Sequence, residues 1–349
     1  MRRAVALSTR APLTTPPNPD VGCVILGTDG AIVGEGFHER VGGPHAEINA
    51  LAEAGGRARG GTAVVTLEPC SHTGRTGPCA QALILAGVRR VVYAVDDPHP
   101  DAAGGAHTLR DAGIDVVSGV LAGEAARANM RWLTPFRTRR PFVVWKVAAT
   151  LDGRTAAADG TSRWITGPEA RHDVHRLRAA VDAVIVGVGT VLADDPALTA
   201  RDVELGADGQ PERIVVDSRG RTPAAAKVRD DSAATFIVTA DDVKTGADGR
   251  IDPAALLELL YRRGTRYALL EGGATLAGSF WRAGLVDRLV AYIAPALLGA
   301  GPSALADAGI TSIADALRLD IDDVTLIGGD LRIIATSVPG SAHSTLGEI

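Results

Sequence analysis

The chain has 349 residues, 46% hydrophobic and 22% charged, with a formal net charge of −5. That length favours two domains, the acidic balance argues against a general nucleic-acid binder, and three cysteines make no disulfide framework. No stretch approaches the roughly 18 apolar residues of a membrane span, and the four apolar residues from Ala4 to Leu7 after Met1-Arg2-Arg3 are too few for a signal peptide, so a cytoplasmic protein is expected.

Residues 21–26 and 31–35 read as strands joined by the hairpin signal Thr28-Asp29-Gly30. Residues 45–54 read as a helix closed by Gly55 and Gly56. A buried strand over 63–67 is followed by a helix over 78–86, with Pro78 at its start and Gly87 after it. Strands over 88–95 and 114–117 complete a sheet whose strands are separated by helices, which favours parallel order. A basic, proline-flanked segment, from Arg131-Trp132 through Arg137-Thr138-Arg139-Arg140-Pro141, then separates a second α/β region. The alternative for that segment is a surface loop inside one large domain. The second region reads as strand 142–148, helix 168–180, strands 183–187, 213–217 and 235–239, helix 253–262, strand 267–270, helix 274–283 and strand 288–293. The tail from Ser337 is rich in Ser and Gly and is expected to fray. The expected division is therefore 1–140, 141–337 and a flexible 338–349.

Two short stretches carry the chemistry. Gly43-Pro44-His45-Ala46-Glu47 supplies an imidazole and a carboxylate; Thr66-Leu67-Glu68-Pro69-Cys70, completed by Gly77-Pro78-Cys79, supplies two thiols. His45, Cys70 and Cys79 suit tetrahedral zinc with a fourth position for water. Glu47 is placed to move protons beside that water rather than to bind the metal. His-x-Glu followed by Pro-Cys-x-x-Cys is the pattern of zinc deaminases acting on nucleobases. Here eight residues separate the cysteines. Zinc lowers the pKa of bound water to about 7, and both ligand stretches fall at helix starts, where the dipole favours anions. A structural zinc would call for a fourth protein ligand; His72 is near in sequence but sits in the inserted loop. Cys23, in a strand, is read as core.

In the second region, Lys146-Val147-Ala148-Ala149-Thr150-Leu151-Asp152-Gly153-Arg154 ends a strand with a cation, an acid and a turn. Ser162-Arg163-Trp164-Ile165-Thr166 precedes a helix. The glycine turns at Gly187-Val188-Gly189-Thr190 and Glu271-Gly272-Gly273-Ala274-Thr275 each follow a strand, as phosphate cradles do and as plain strand-to-helix connections also do. No full Gly-x-Gly-x-x-Gly is present. His172 and His175 lie three apart on one helix and read as surface histidines.

The wide cysteine spacing, with Pro17-Asn18-Pro19-Asp20-Val21-Gly22 and Gly34-Glu35-Gly36-Phe37-His38, resembles the bifunctional riboflavin-biosynthesis deaminase/reductase family. The likeness runs from about Thr14 to about Ile334. It implies an α/β protein: an N-terminal cytidine-deaminase-like α/β/α domain that binds zinc, then a C-terminal dihydrofolate-reductase-like α/β domain that uses NADPH. It implies that His72 and Arg75 shape a pocket for a phosphoribosylated pyrimidine and that Asn18 contacts it; on its own residues, Asn18 between two prolines reads as a turn. Ala148, Trp164, Thr190, Asp194, Ser218 and the turn Gly273, Ala274, Thr275 would line the cofactor. Ser162, Arg178, Arg201 and Glu271 would hold the substrate, with the arginines on its phosphate. A solvated helix-face charge is the plainer reading of Arg178. Lys146 is the candidate polar group near the reacting ribose carbon. The resemblance also implies a homo-oligomer acting on a small molecule, with no nucleic acid and no membrane. Two departures stand out, His99 in Asp97-Pro98-His99-Pro100 where the family has Asn, and Ala106 where it has Gly; these put the fine contacts of that loop in question. The chain also begins later than the family's usual start, which leaves two readings: an initial polar helical turn is missing, or the true start lies elsewhere. The rival readings are a zinc deaminase of another base, a zinc-stabilised binding module, and a chain with one inactive half.

Overall fold

The computed structural model describes residues 1–10, 15, 18–72, 77–206 and 209–337. The chain divides into two units, Met1–Arg139 and Arg140–Ile349.

The first unit runs α1 (Arg2–Ser8), β1 (Gly22–Leu26), β2 (Ile32–Phe37), α2 (Ala46–Ala54), β3 (Thr62–Leu67), α3 (Cys79–Ala86), β4 (Arg90–Val95), α4 (Gly105–Asp111), β5 (Asp115–Val117), α5 (Ala122–Ala128) and α6 (Met130–Thr138). Alternation along the strands sets the layers. Cys23, Ile25, Ala63 and Val65 point to a core shared with Ala46, Ala50 and Ala54 of α2 and Leu83 of α3. Val24 and Val64 point the other way, to Ala4 and Leu7 of α1. The sheet order is β2-β1-β3-β4-β5. Parallel order holds for β3, β4 and β5, but β1 runs antiparallel to both β2 and β3. A tight hairpin can join antiparallel strands alone, so the Thr28-Asp29-Gly30 turn overrides parallel order at that edge.

The glycines of Gly34-Glu35-Gly36 have a packing reason. A Cβ on Gly34 would lie 2.2 Å from Ala50 O, and one on Gly36 2.3 Å from Ala46 O. The backbone of α2 thus rests directly on β2, which fixes where its first turn, carrying His45 and Glu47, emerges. Gly36→Ala is expected to cost about 1–3 kcal/mol, the usual range for overpacking; a melting curve unchanged from the parent would refute this contact.

The basic segment expected to separate the regions is in part helix. Met130–Thr138 forms α6 despite Pro135 in its interior. Burying Trp132 and Leu133 in the first core offsets the backbone hydrogen bond that proline removes.

The second unit runs β6 (Phe142–Thr150), α7 (Pro168–Ala179), β7 (Ala183–Gly187), α8 (Val188–Asp194), β8 (Glu212–Val216), β9 (Thr235–Val238), α9 (Pro253–Arg262), β10 (Tyr267–Leu270), α10 (Ala274–Arg282), β11 (Arg288–Ala294), β12 (Leu319–Ile327) and β13 (Asp330–Ser337). Helix α9 starts where Asp252 accepts from the Ala254 and Ala255 N–H groups, with Pro253 as its first residue. The sheet order is β12-β13-β11-β6-β10-β7-β8-β9, parallel from β11 to β9. Helices α9 and α10 cover one face through Leu256, Leu257, Leu260, Ala277 and Phe280. On the other face Ala170 and Val174 of α7 meet Val290 and Tyr292, with Val144 and Ala148 packed beside them. Residues 338–349, expected to fray, lie outside the described residues. Among the described residues no helix is long and apolar enough to cross a membrane.

Candidate active sites

In the first unit, His45 is the N-cap of α2, Glu47 lies in its first turn, and Cys79 opens α3 behind Pro78. Cys70 follows β3. His45 Nδ1 is 3.2 Å from Cys79 Sγ and 3.6 Å from Cys70 Sγ, and all three ligand atoms lie within 4.8 Å of one another. Tetrahedral zinc would place nitrogen and sulfur ligands about 3.5 Å apart, so the donor set and its spacing fit the metal. Among the described residues these three form the cluster able to hold an ion.

The electrostatics divide the two thiols. Cys79 hydrogen-bonds to Cys70 and, with His45 helping, holds the Cys70 thiol down at about 4 against the cost of burial. Sharing that proton, and being buried, pushes Cys79 up. Its hydrogen bond with Cys70 raises His45 against the pull of burial. Burial first, then the charge on Cys70, push the Glu47 carboxyl up to about 7. Glu47 is 4% exposed, and its desolvated carboxyl titrates near neutrality. Cys23 is buried core, as expected.

Asn18 is held by His38, which the sequence offered only as part of a motif. The His38 Nδ1–H donates to Pro44 O at 3.0 Å, which leaves Nε2 to accept from the Asn18 carboxamide NH2 at 3.0 Å. The ring also stands edge-on to His45, with centroids 5.6 Å apart. His72 is exposed and outside the ligand cluster, while Arg75 lies outside the described residues. At the two departures the local contacts use the backbone. The His99 N–H donates to Asp97 Oδ1 at 2.8 Å while its ring meets Phe136, centroids 5.3 Å apart, and the Ala106 N–H donates to Glu68 Oε1 at 2.9 Å.

In the second unit, Val144, Lys146 and Ala148 share one face of β6, the face that α7 covers. Lys146 Nζ lies 3.9 Å from Glu271 Oε2. Arg178, from α7, grips Glu271 with Nε at 2.6 Å and Nη2 at 2.9 Å, and its Nη1 donates to Thr199 O at 3.0 Å. Arg178 is therefore not a solvated helix-face charge; three of its N–H donors are used inside the protein. Burial would raise Glu271, but Arg178 and then Lys146 outweigh it and hold the carboxyl at about 2. Burial lowers Lys146, only partly countered by Glu271.

Arg201 Nη1 donates to Thr199 Oγ1 at 3.0 Å and its Nη2 lies 3.4 Å from His175 Nε2. The structure corrects the surface reading of His175: the ring is half-buried, and its Nδ1 lies 3.1 Å from Thr199 O. Only His172 is exposed. No local signal marked the contact of His175 with Thr199, because it depends on where α7 docks.

The residues expected to line a cofactor gather at the C-terminal strand ends. Strands β10, β7 and β8 are neighbours, and their ends lead to Gly273, to α8 with Thr190 and Asp194, and to Ser218. A Cβ on Gly273, the N-cap of α10, would lie 3.7 Å from Thr190 Oγ1. Arg163 Nη2 donates to Asp194 O at 2.8 Å, and the neighbouring Trp164, 69% exposed, carries Arg171 over its ring at 4.4 Å. Helix N-termini at parallel strand ends, bare of side chains at glycine, suit a dinucleotide phosphate. Ser162 is half-buried just before Trp164. Ala274 and Thr275 open α10.

Comparison with known proteins agrees with both halves. Residues 1–95 match the cytidine and deoxycytidylate deaminase zinc-binding region, and residues 141–333 match the RibD C-terminal domain. The riboflavin biosynthesis protein RibD of Mycobacterium tuberculosis is 49% identical over 336 residues, 95% of each chain. That of Escherichia coli is 45% identical over 355 residues, 95% of this chain and 96% of the other. Among solved structures, Acinetobacter baumannii RibD superposes with a TM-score of 0.75 at 41% identity, covering 97% of both chains. A deaminase/reductase from Thermotoga maritima gives 0.74 at 32% identity, again over 97% of both. The α/β fold class is thus a cytidine-deaminase-like unit followed by a RibD-type reductase unit. With a zinc-type donor set in the first unit and a lysine–glutamate–arginine cluster in the second, this chain belongs to the RibD family of bifunctional riboflavin-biosynthesis proteins.

Proposed function

We propose that the first unit deaminates 2,5-diamino-6-(5-phosphoribosylamino)pyrimidin-4(3H)-one and that the second reduces the ribosyl group of the product to ribityl with NADPH. The Thermotoga relative is described as a diaminohydroxyphosphoribosylaminopyrimidine deaminase/5-amino-6-(5-phosphoribosylamino)uracil reductase. The observation that carries the reading is the His45, Cys70, Cys79 cluster with Glu47 buried in the same helix turn.

Bound zinc supplies the Lewis acidity that makes hydroxide available at neutral pH. Deamination breaks the carbon–nitrogen bond of the 2-amino group and forms a carbonyl, so water's protons must end on a ring nitrogen and on departing ammonia. Glu47 is the group that takes and returns them, since a carboxyl near 7 serves as base and acid at neutral pH. Asn18, oriented by His38, holds the pyrimidine edge. His72 and Arg75 shape the pocket around the phosphoribosyl group.

In the second unit NADPH supplies hydride to the ribose carbon. As the sugar opens, its ring oxygen gains a proton, and Lys146 is the donor placed for that step beside Glu271. Ser162, Arg201 and the Arg178–Glu271 pair hold the substrate. Arg201, half-anchored by Thr199 and His175, is the arginine for the phosphate, with Arg178 fixing the wall behind it. Ala148, Trp164, Thr190, Asp194, Ser218 and Gly273 to Thr275 take the cofactor. The same reading makes the protein a cytoplasmic homo-oligomer acting on small molecules, with no nucleic acid or membrane partner; its mass in solution tests the assembly.

Removing the metal separates the halves. A metal assay should find one zinc per chain, and chelation should stop ammonia release while NADPH oxidation on the deaminated substrate continues. Deamination unchanged by chelation would overturn the first half of the proposal.

A further inference from the structure

Glu68 stands between β3 and the ligand Cys70 and is no member of the ligand cluster, yet the residue is only 8% exposed. Its oxygens receive three backbone N–H groups, from the loop before α4 and from the first turn of α4 itself. Oε2 accepts from Asp97 at 3.2 Å, and Oε1 accepts from Gly104 at 3.2 Å and Ala106 at 2.9 Å. Donors on both oxygens require acceptors at both positions, which a carboxylate offers and a carboxamide does not. Either orientation of a glutamine would set its NH2 against at least one N–H.

The same loop grips the other side of Cys70. The Ser71 N–H donates to Ala102 O at 3.0 Å and Ser71 Oγ to Ala103 O at 2.6 Å. Ala102 packs with Cys70 and Cys79 in one buried cluster. Gly105 closes the wrap, since a Cβ there would lie 1.7 Å from Pro69 O. Residues 97–106 thus enclose the Pro69-Cys70-Ser71 turn without slack.

Burial chiefly, with smaller pushes from Glu68 and Cys70, raises the nearby Asp97 carboxyl to about 6. An apolar side chain at position 68 would fill the space without adding negative charge to that corner. What it could not do is receive the three amides.

We propose that Glu68 is the positioning residue of the metal centre: by tying the amides of Asp97, Gly104 and Ala106 it clamps the loop around Cys70 and presets the thiolate at ligand distance. Gly105 is its counterpart, admitting the start of α4 against Pro69. This rests on the zinc reading of the cluster, and the experiment keeps the two apart. Zinc affinity of the full chain is measured by chelator competition in the parent, Glu68→Gln and Gly105→Ala, with NADPH oxidation on deaminated substrate as the check on folding. Both variants should bind zinc about 10–100-fold more weakly, the usual effect of losing an outer-shell partner. Excess zinc should restore the deamination kcat, and the reductase rate should not move. Parental zinc affinity in Glu68→Gln overturns the proposal. So does a zinc-saturated Glu68→Gln that stays inactive, which would put Glu68 in the chemistry itself. If Glu68→Gln fails to fold, Gly105→Ala decides, and parental affinity there overturns the proposal. A parent that binds no zinc would instead refute the metal reading.

Discussion

Glu47→Gln is expected to lower ammonia release by at least about 10²–10⁴-fold, the share a positioned acid–base group usually contributes, while NADPH oxidation on already deaminated substrate proceeds at the parental rate. The substitution keeps the shape of a side chain that is 4% exposed and removes its capacity to carry a proton. Glutamine resembles the neutral carboxyl that burial already favours, so the fold should not suffer. Glu47 lies outside the three-atom ligand cluster, and zinc content should therefore stay at the parental level. Ammonia assay, NADPH absorbance and metal content on one preparation give three independent readings. Loss of both activities together would contradict separate sites, and loss of zinc would make Glu47 a ligand.

Arg178→Met should cost about 3–5 kcal/mol of stability in the second unit, the penalty for stripping one partner from a buried ion pair. Glu271 is 7% exposed and Arg178 12%, and the bidentate contact is replaced by nothing when the guanidinium goes. Lys146, at 3.9 Å, is the cation left to Glu271. Adding Glu271→Gln to Arg178→Met should recover much of the loss, because the orphaned charge disappears. The pH dependence has a definite sign. In the parent, Glu271 is depressed from 4.5 to about 2, so its stabilising contribution is complete above 4.5 and fades as pH falls towards 2. That acid-sensitive contribution should shrink in Arg178→Met. Urea midpoints at neutral and acid pH test both statements; a single variant as stable as the parent would show that the pair is not what holds this wall.

Most of the central strands and their helices were legible locally. Residues 267–270, for example, are a continuous apolar run bounded by turn signals, and they form β10 over those same residues. Helices α5, α6 and α8 went unassigned: α5 and α8 are single seven-residue segments each holding one glycine, and Pro135 interrupts α6. Strand β12 escaped detection for a different reason. Its sequence, Leu-Asp-Ile-Asp-Asp-Val-Thr-Leu-Ile, leaves Ile321, Val324 and Leu326 exposed, so no buried face imposes a pattern, and pairing with β13 makes it a strand.

The sequence by itself marked the His45, Cys70 and Cys79 set, the neighbouring Glu47 and the family. Metal chemistry demands particular residue types at short spacings, and such motifs survive in one dimension. It also marked Arg178, Arg201 and Glu271, but not what they touch. The tertiary structure alone decided that Arg178 grips Glu271, 93 residues away, and that Glu68 ties a loop some thirty to forty residues further along the chain. Those partners meet because β10 inserts between β6 and β7, and because α4 docks on the turn after β3. Sheet order and close packing bring distant residues together through the whole core, and no local spacing records them.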